Sequence, residues 1–342
     1  MIDSSMRKIR AAVVGMGYWG PKFARNLLLH PEFELVSVVD LDEEKARREL
    51  DLLNAVGVSQ YPNVESMLER ESVDLVHVAV PPQFHFEVAE KSLRAGKHVL
   101  VEKPVGLDLE HRIELVELAR ASNLMLFVDH TYLFTSEFEA IREIYKRNEI
   151  GDLVFYNSTR INLGLIQSAT NVVEDLAVHD LAILDVLRPE LPIYVICTGI
   201  VVPPSSMVST SFASIVYADG FIAQIMVSWN SPVKVREIQI AGNAGMLIWN
   251  DMSGSDKVKI YNSKIEQDVT SEDLRISYHL GEGRIPSIIS TEAIKKELSA
   301  IAANIRGDKQ ESINGDAHIL RVGKTLSALK QSLIGNGERV WI

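Results

Sequence analysis

Residues 11–20 read AAVVGMGYWG, and the reading of this stretch decides the fold. Four small or β-branched apolar residues make a short buried strand. Gly15, Gly17 and Gly20 follow at the spacing G-x-G-x-x-G, and Pro21 opens a helical pattern. In that order the glycines serve a tight turn, a close approach of backbone to a pyrophosphate, and close helix packing, while the helix N-terminus offers unpaired N–H groups to the anion. Asp40 stands 20 residues beyond Gly20, at the end of the apolar run LVSVV, where an acid accepts hydrogen bonds from the adenosine ribose. Gly15, Gly17, Tyr18, Trp19, Gly20 and Asp40 are therefore candidate dinucleotide contacts. A carboxylate at position 40 repels a 2′-phosphate, and neither Ser37 nor Leu41 supplies a replacing cation. NAD is accordingly expected over NADP, with Arg47 and Arg48 read as a solvated helix face.

Outward from this loop, short apolar runs (IRAAVVG, ELVSVVD, VDLVHVAV, KHVLV, LMLFV) alternate with helical patterns from Lys8 to about Val128. Such alternation predicts βαβ units in a doubly wound parallel sheet, with ligands at the edge formed by the strand C-termini. After about residue 150 the runs lengthen. GDLVFYNSTRINLG, PIYVICTGIVV, TSFASIVYADGFIAQIMVSWN, VREIQIAGNAGMLIWND and DKVKIYN predict long strands joined by turns such as Asp219-Gly220. Two helical patterns, near Thr291 to Arg306 and Asp316 to Leu333, close the chain. The expected class is α/β: an N-terminal dinucleotide-binding domain at residues 1–128, then an α+β domain with a large, mostly antiparallel open sheet at residues 129–342.

The bulk properties narrow the function. The chain has 342 residues, 46% of them apolar and 24% charged, which suits a globular protein of two domains. Its formal net charge of -11 disfavours nucleic acid and anionic membrane as partners but leaves room for a small anionic ligand. The start MIDSSMRKIR has no apolar core of a signal peptide and no run is long enough to span a bilayer, so a cytoplasmic location is expected. Cys197 has no partner for a disulfide and reads as a small buried hydrophobe. The histidines show no metal-ligand spacing, and no metal is expected.

Residues 101–106, VEKPVG, end the run HVLV with a glutamate, a lysine and a proline. Proline cannot donate to a following ladder, so the strand stops and Lys103 falls on the ligand edge. The long stretch VAVPPQFHFEVAEKSLRAGKHVLVEKP (Val78–Pro104), together with the glycine loop and Asp175-x-x-x-His179, resembles the glucose-fructose oxidoreductase, inositol dehydrogenase and rhizopine catabolism protein family (Gfo/Idh/MocA) over essentially the whole chain. The resemblance implies a Rossmann domain, a C-terminal sheet that forms a homodimer or homotetramer interface, and Lys103 directed at the substrate beside the nicotinamide. Glu102 would position the lysine or the nicotinamide ribose, Pro104 would fix the turn, and Pro81 and His85 would flank the nicotinamide.

Asp175 and His179 are four residues apart on an expected amphipathic helix and share a face. Histidine titrates near neutrality and accepts a hydroxyl proton, and a neighbouring carboxylate orients it. In family members with this arrangement the pair lies opposite the lysine across the substrate. Asp180 points elsewhere and reads as structural. The stretch Arg160–Asp180 resembles the subset that acts on nucleotide-linked sugars, and that likeness gives Arg160, Asn162 and Gly164 to the substrate, Arg160 facing its diphosphate. Glu174 stands where that subset has a bulky apolar residue. The leading expectation is an NAD-dependent dehydrogenase acting at C3 of a UDP-linked amino sugar or uronic acid. A dehydrogenase of a free inositol, other polyol or hexose shares every catalytic residue, and a non-catalytic NAD-sensing regulator is the remaining alternative.

Overall fold

The computed structural model describes residues 7–164, 170–203, 205–262, 264–270, 273–279, 283–307 and 312–342. The chain divides into two compact units, Met1–Phe134 with Thr291–Gly323 and Thr135–Ser290 with Lys324–Ile342.

The first unit begins β1 (Ile9–Val14), α1 (Gly20–Leu29), β2 (Phe33–Val39), α2 (Glu43–Leu52), β3 (Ser59–Tyr61), α3 (Val64–Arg70) and β4 (Leu75–Val78). It continues with α4 (His85–Arg94), β5 (His98–Glu102), α5 (Leu109–Ala121) and β6 (Leu126–Asp129). The strands form a six-stranded sheet in the order β3-β2-β1-β4-β5-β6, and every pairing is parallel. Helices cover both faces, which is why the runs read from sequence are continuous rather than alternating in hydrophobicity. Only β3, the polar tripeptide SQY, carried no such signal. The order reverses between β1 and β4, and Gly15, Asp40, Pro81 and Lys103 all follow C-terminal strand ends at the edge where such sheets bind ligands.

A single cut near residue 128 does not describe this unit, because Thr291–Gly323 returns to it. The reason is apolar burial. Ile294, Leu298, Ile301 and Ala302 sink into the same cluster as Val13, Phe23, Leu27 and Leu100. At a hydrophobic gain of about 1.5–3 kcal/mol per large side chain, these contacts outweigh sequence proximity.

The second unit carries α6 (Ser136–Lys146), β7 (Leu153–Leu163), α7 (Val178–Leu187), β8 (Tyr194–Ile200), β9 (Thr210–Val216), β10 (Ile222–Ser228) and β11 (Asn230–Gly242). Then come β12 (Met246–Asn250), β13 (Val258–Tyr261) and a hairpin of β14 (Lys264–Thr270) with β15 (Asp273–His279). The chain ends with α8 (Ala293–Ile305), α9 (Asp316–Ile334) and β16 (Val340–Trp341). Eight strands form one sheet in the order β13-β12-β11-β7-β10-β9-β8-β16. Only β10 with β7 is parallel, and the other pairings are antiparallel. Burial alternates along β9 and β10, so one face holds Ala213, Ile215, Ala223 and Ile225 while Phe212 and Ile222 remain on the exposed face. Cys197 is fully buried on β8, with Sγ 3.2 Å from Ser211 Oγ, and burial raises its thiol pKa.

The helix expected to be amphipathic differs in kind. Its first turn, Val173–Ala177, is a π-helix, and α7 behind it is apolar nearly all round, with eight of its ten residues buried. A helix with that pattern belongs inside.

Candidate functional site

In the first unit the three glycines divide the work that their spacing implies. Gly15 has φ +99°, and a Cβ there would lie 2.6 Å from the Ala79 carbonyl oxygen. Any side chain at Gly20 would meet the Gly15 oxygen at 2.0 Å. By contrast a Cβ on Gly17 meets nothing within 4 Å, so the space beside it is open, as a pyrophosphate laid against this backbone requires. Trp19 is the N-cap of α1, and Pro21 lies in its first turn. Tyr18 and Trp19 are exposed, and Lys22 Nζ sits 3.5 and 4.0 Å from their ring centroids.

Asp40 closes the same edge. Its Oδ2 accepts from the Met16 amide at 2.7 Å and its Oδ1 from the Asp42 amide at 2.9 Å. These bonds fix the carboxylate, and each oxygen retains a second lone pair for a ribose hydroxyl. A cavity of ≈ 550 Å³ is lined by Gly15, Gly17, Asp40, Leu41, Pro81 and Phe84 among others, a size and apolar character suited to an adenosine moiety. Two lysines passed over in the sequence, Lys45 and Lys91, also line it, and Lys91 is held by Glu65 and Glu87, each at 2.5 Å. The residues present thus fit a dinucleotide.

Lys103 is half-buried just past β5, and its peptide bond to Pro104 is cis. Behind it Glu102 pairs in register with Asp129 of β6, and His77, Glu102 and Asp129 bring their polar atoms within 4.8 Å of one another. Glu297 of α8, fully buried, joins them and accepts from Asn314 Nδ2 at 3.1 Å. Burial, the Asp129 charge and a hydrogen bond to Asp129 hold both glutamates well above the ordinary carboxyl range, which favours their protonated forms. Burial also drops His77 to about 3, leaving it neutral. Of the two roles expected for Glu102, this buried group favours positioning Lys103 over contact with a ribose. Sequence spacing cannot show such a group, because its members lie on three different strands and a distant helix.

The proton count sets a pH dependence. A carboxyl whose folded pKa is raised contributes stability that is complete below its unfolded pKa, near 4.5, and is lost as pH rises toward the folded value. Between those limits each such group makes stability fall as the pH rises. Glu297→Gln, which keeps shape and cannot ionise, is expected to make the fall in stability as pH rises above about 4.5 less steep. Chemical denaturation at several pH values measures this, and parallel profiles for the two proteins contradict it.

His85, expected beside the nicotinamide, is only 1% exposed and does not line the cavity. Its ring is held at 2.8 Å from both the Pro104 and Val80 carbonyl oxygens, a placement that corrects the expectation.

In the second unit Asn171 caps the catalytic helix candidate, its Oδ1 accepting from the amides of Val173 and Glu174. Asp175 lies in the π turn, a feature frequent at functional sites, and Trp229 Nε1 donates to its Oδ2 at 3.0 Å. Trp229 is a residue the sequence reading missed, because 54 residues separate it from Asp175. The same indole explains Gly164, where a Cβ would lie 2.6 Å from the Trp229 ring. His179 is half-buried one helical turn beyond Asp175, and Asn162 is half-buried near the end of β7. Leu165–Ala169, the link from the Asn-Leu-Gly turn to the helix, lie outside the described residues.

Arg160 requires correction. Its guanidinium binds both oxygens of Asp180, at 3.0 and 3.1 Å, with side chains 4% and 1% exposed. A cation buried against its own carboxylate does not face a diphosphate. Asp180 is structural, as read. Glu174, the departure noted in the sequence, is buried and neutralised by Lys330 Nζ at 2.8 Å.

Residues 9–130 match the model of the oxidoreductase family with NAD-binding Rossmann fold, GFO_IDH_MocA. The UDP-N-acetylglucosamine 3-dehydrogenase of Acidithiobacillus ferrooxidans is 26% identical over 312 residues, 88% of this chain and 87% of that one. The dTDP-3,4-didehydro-2,6-dideoxy-alpha-D-glucose 3-reductase of Streptomyces violaceoruber is 33% identical over 133 residues, 39% of this chain and 37% of that one. That alignment, like one to an uncharacterised oxidoreductase of Synechocystis sp. at 38%, spans less than two fifths of the relative's own length. The crystal structure of GenD2 from gentamicin A biosynthesis in complex with NAD shares the fold, with a TM-score of 0.80 and 21% identity over 98% of this chain and 97% of that one.

Proposed function

We propose that the protein, whose residues 9–130 match the model of the Gfo/Idh/MocA oxidoreductases, is an NAD-dependent dehydrogenase acting at C3 of a UDP-linked amino sugar or uronic acid, or reducing the corresponding ketone. The observation that carries the oxidoreductase reading is the convergence of Gly15, Gly17, Asp40 and Lys103 on one edge of the parallel sheet, with open space only beside the middle glycine. The alignment along 88% of the chain to a UDP-N-acetylglucosamine 3-dehydrogenase supports the substrate class.

The bound nicotinamide supplies the hydride acceptor. The glycine-loop amides and the N-terminus of α1 hold the pyrophosphate, and Asp40 holds the adenosine ribose. Lys103 hydrogen-bonds the carbinol oxygen and stabilises the negative charge that develops on it. His179 takes the hydroxyl proton, with Asp175 as its orienter or as acceptor of a sugar hydroxyl. Trp229 fixes one oxygen of that carboxylate in advance. Asn162 and Gly164 serve the sugar or phosphate oxygens. The exposed apolar side chains of β9 and β10 are the proposed self-association surface.

NADH is expected to bind at least about tenfold more tightly than NADPH, a difference of about 1.4 kcal/mol. Asp40→Ser should narrow that gap, since it removes the carboxylate that repels a 2′-phosphate while Lys45 still lines the cavity. Fluorescence titration with both reduced cofactors measures it, and tighter NADPH binding by the unaltered protein ends the NAD assignment. For the substrate, NADH production is compared across UDP-sugars and free cyclitols and hexoses. Turnover confined to the UDP-sugars supports the proposal, turnover confined to free polyols replaces it, and no substrate-dependent signal at all favours a dinucleotide-sensing regulator.

A further inference from the structure

His85 presents a chemical conflict. Both ring nitrogens lie 2.8 Å from a carbonyl oxygen, Nδ1 from Pro104 and Nε2 from Val80. Carbonyls only accept, and a neutral imidazole carries a single N–H. One of the two contacts is therefore a hydrogen bond at any time, and both are bonds only when the ring holds two protons. The ring is buried, so water relieves neither contact.

The two carbonyls belong to the two loops that matter most. Pro104 follows Lys103 directly, and Val80 lies in the loop after β4 whose Ala79 carbonyl packs against Gly15. His85 at the start of α4 thus bridges the glycine loop's neighbour and the lysine turn.

We propose that His85 is a positioning residue: its ring N–H, donated to the Pro104 carbonyl, fixes the turn that carries Lys103 and so sets where the ammonium stands. The charged groups facing the ring are consistent with a single proton near neutrality. Burial is the largest influence and holds the imidazole below its ordinary value; the Pro104 and Val80 carbonyls act against it, the positive charge of Lys103 acts with it, and the other neighbour, His77, is neutral.

The test uses three variants of the full chain. Asparagine places an amide donor near Nδ1, glutamine places one near Nε2, and phenylalanine has neither. The kinetic arm rests on the dehydrogenase reading. There His85→Phe is expected to lower kcat about 100-fold, the scale of a misplaced catalytic group, with NADH affinity and the sugar KM changed less than about threefold. His85→Asn should restore most of the loss and His85→Gln little of it. The second arm needs no turnover: the rate at which an amine-acylating reagent labels Lys103, read by peptide mass spectrometry between pH 5 and 8. At matched pH, His85→Phe should change that rate severalfold, while His85→Asn stays near the unaltered protein. If the kinetic arm is silent for every protein but the labelling rates shift, the dehydrogenase reading has failed and the positioning role stands. Equal labelling in all four proteins, or asparagine behaving like phenylalanine, overturns the proposal. Should His85→Phe not fold, the contrast between asparagine and glutamine decides.

Discussion

Lys103→Met is expected to lose about 100- to 1000-fold in turnover while NADH affinity stays within about threefold. Methionine keeps the length of the lysine stem and removes the ammonium, so it isolates the charge. Oxidation of a secondary alcohol places negative charge on the carbinol oxygen as hydride leaves, and a donor in a half-buried site is worth far more there than in water. The loss should fall on kcat, because the interaction strengthens as the charge develops. Steady-state kinetics with a responsive sugar, alongside cofactor titration, measures both halves. Unchanged turnover removes Lys103 from the chemistry, and a matching loss of NADH binding makes it a cofactor ligand instead.

Asp180→Ala is expected to destabilise the second unit by about 3–5 kcal/mol. The pair it breaks is 4% and 1% exposed and doubly hydrogen-bonded, so removing the carboxylate strands a guanidinium between β7 and α7. The cost is the uncompensated charge more than the lost attraction. Replacing both partners, Arg160→Met with Asp180→Leu, should therefore recover much of the loss. Denaturant unfolding measures the three proteins. A single substitution costing under about 1 kcal/mol would mean that the pair is solvated, and the diphosphate role set aside for Arg160 would be open again.

The legible part of the structure is the part with local signals. The glycine loop, Asp40 and the end of β5 each depend on residues within a few positions of one another, and each sits where its pattern implies. Strand runs in both units were readable because period-two burial and continuous apolar runs are properties of single segments. What could not be read depends on partners far away in the chain. Arg160 looks like a surface cation until Asp180 is brought to it by the packing of α7. His85 looks like a ligand until the Pro104 and Val80 carbonyls surround it. Nothing near Glu297 announces that it will be buried beside Asp129, 168 residues earlier. The return of α8 to the first unit has the same origin, since the residues it packs against, such as Val13, Phe23, Leu27 and Leu100, lie far earlier in the chain.

The central claim, hydride transfer from C3 of a UDP-sugar, is tested most directly by isotope. UDP-N-acetylglucosamine deuterated at C3 is incubated with the protein and oxidised cofactor, and the reduced cofactor is examined by mass spectrometry. Deuterium on the nicotinamide ring, lost together with turnover in Lys103→Met, is the expected result. Reduced cofactor without deuterium would place the oxidation at another carbon. No reduction with this or any other UDP-sugar, in a protein that binds NADH, would contradict the claim.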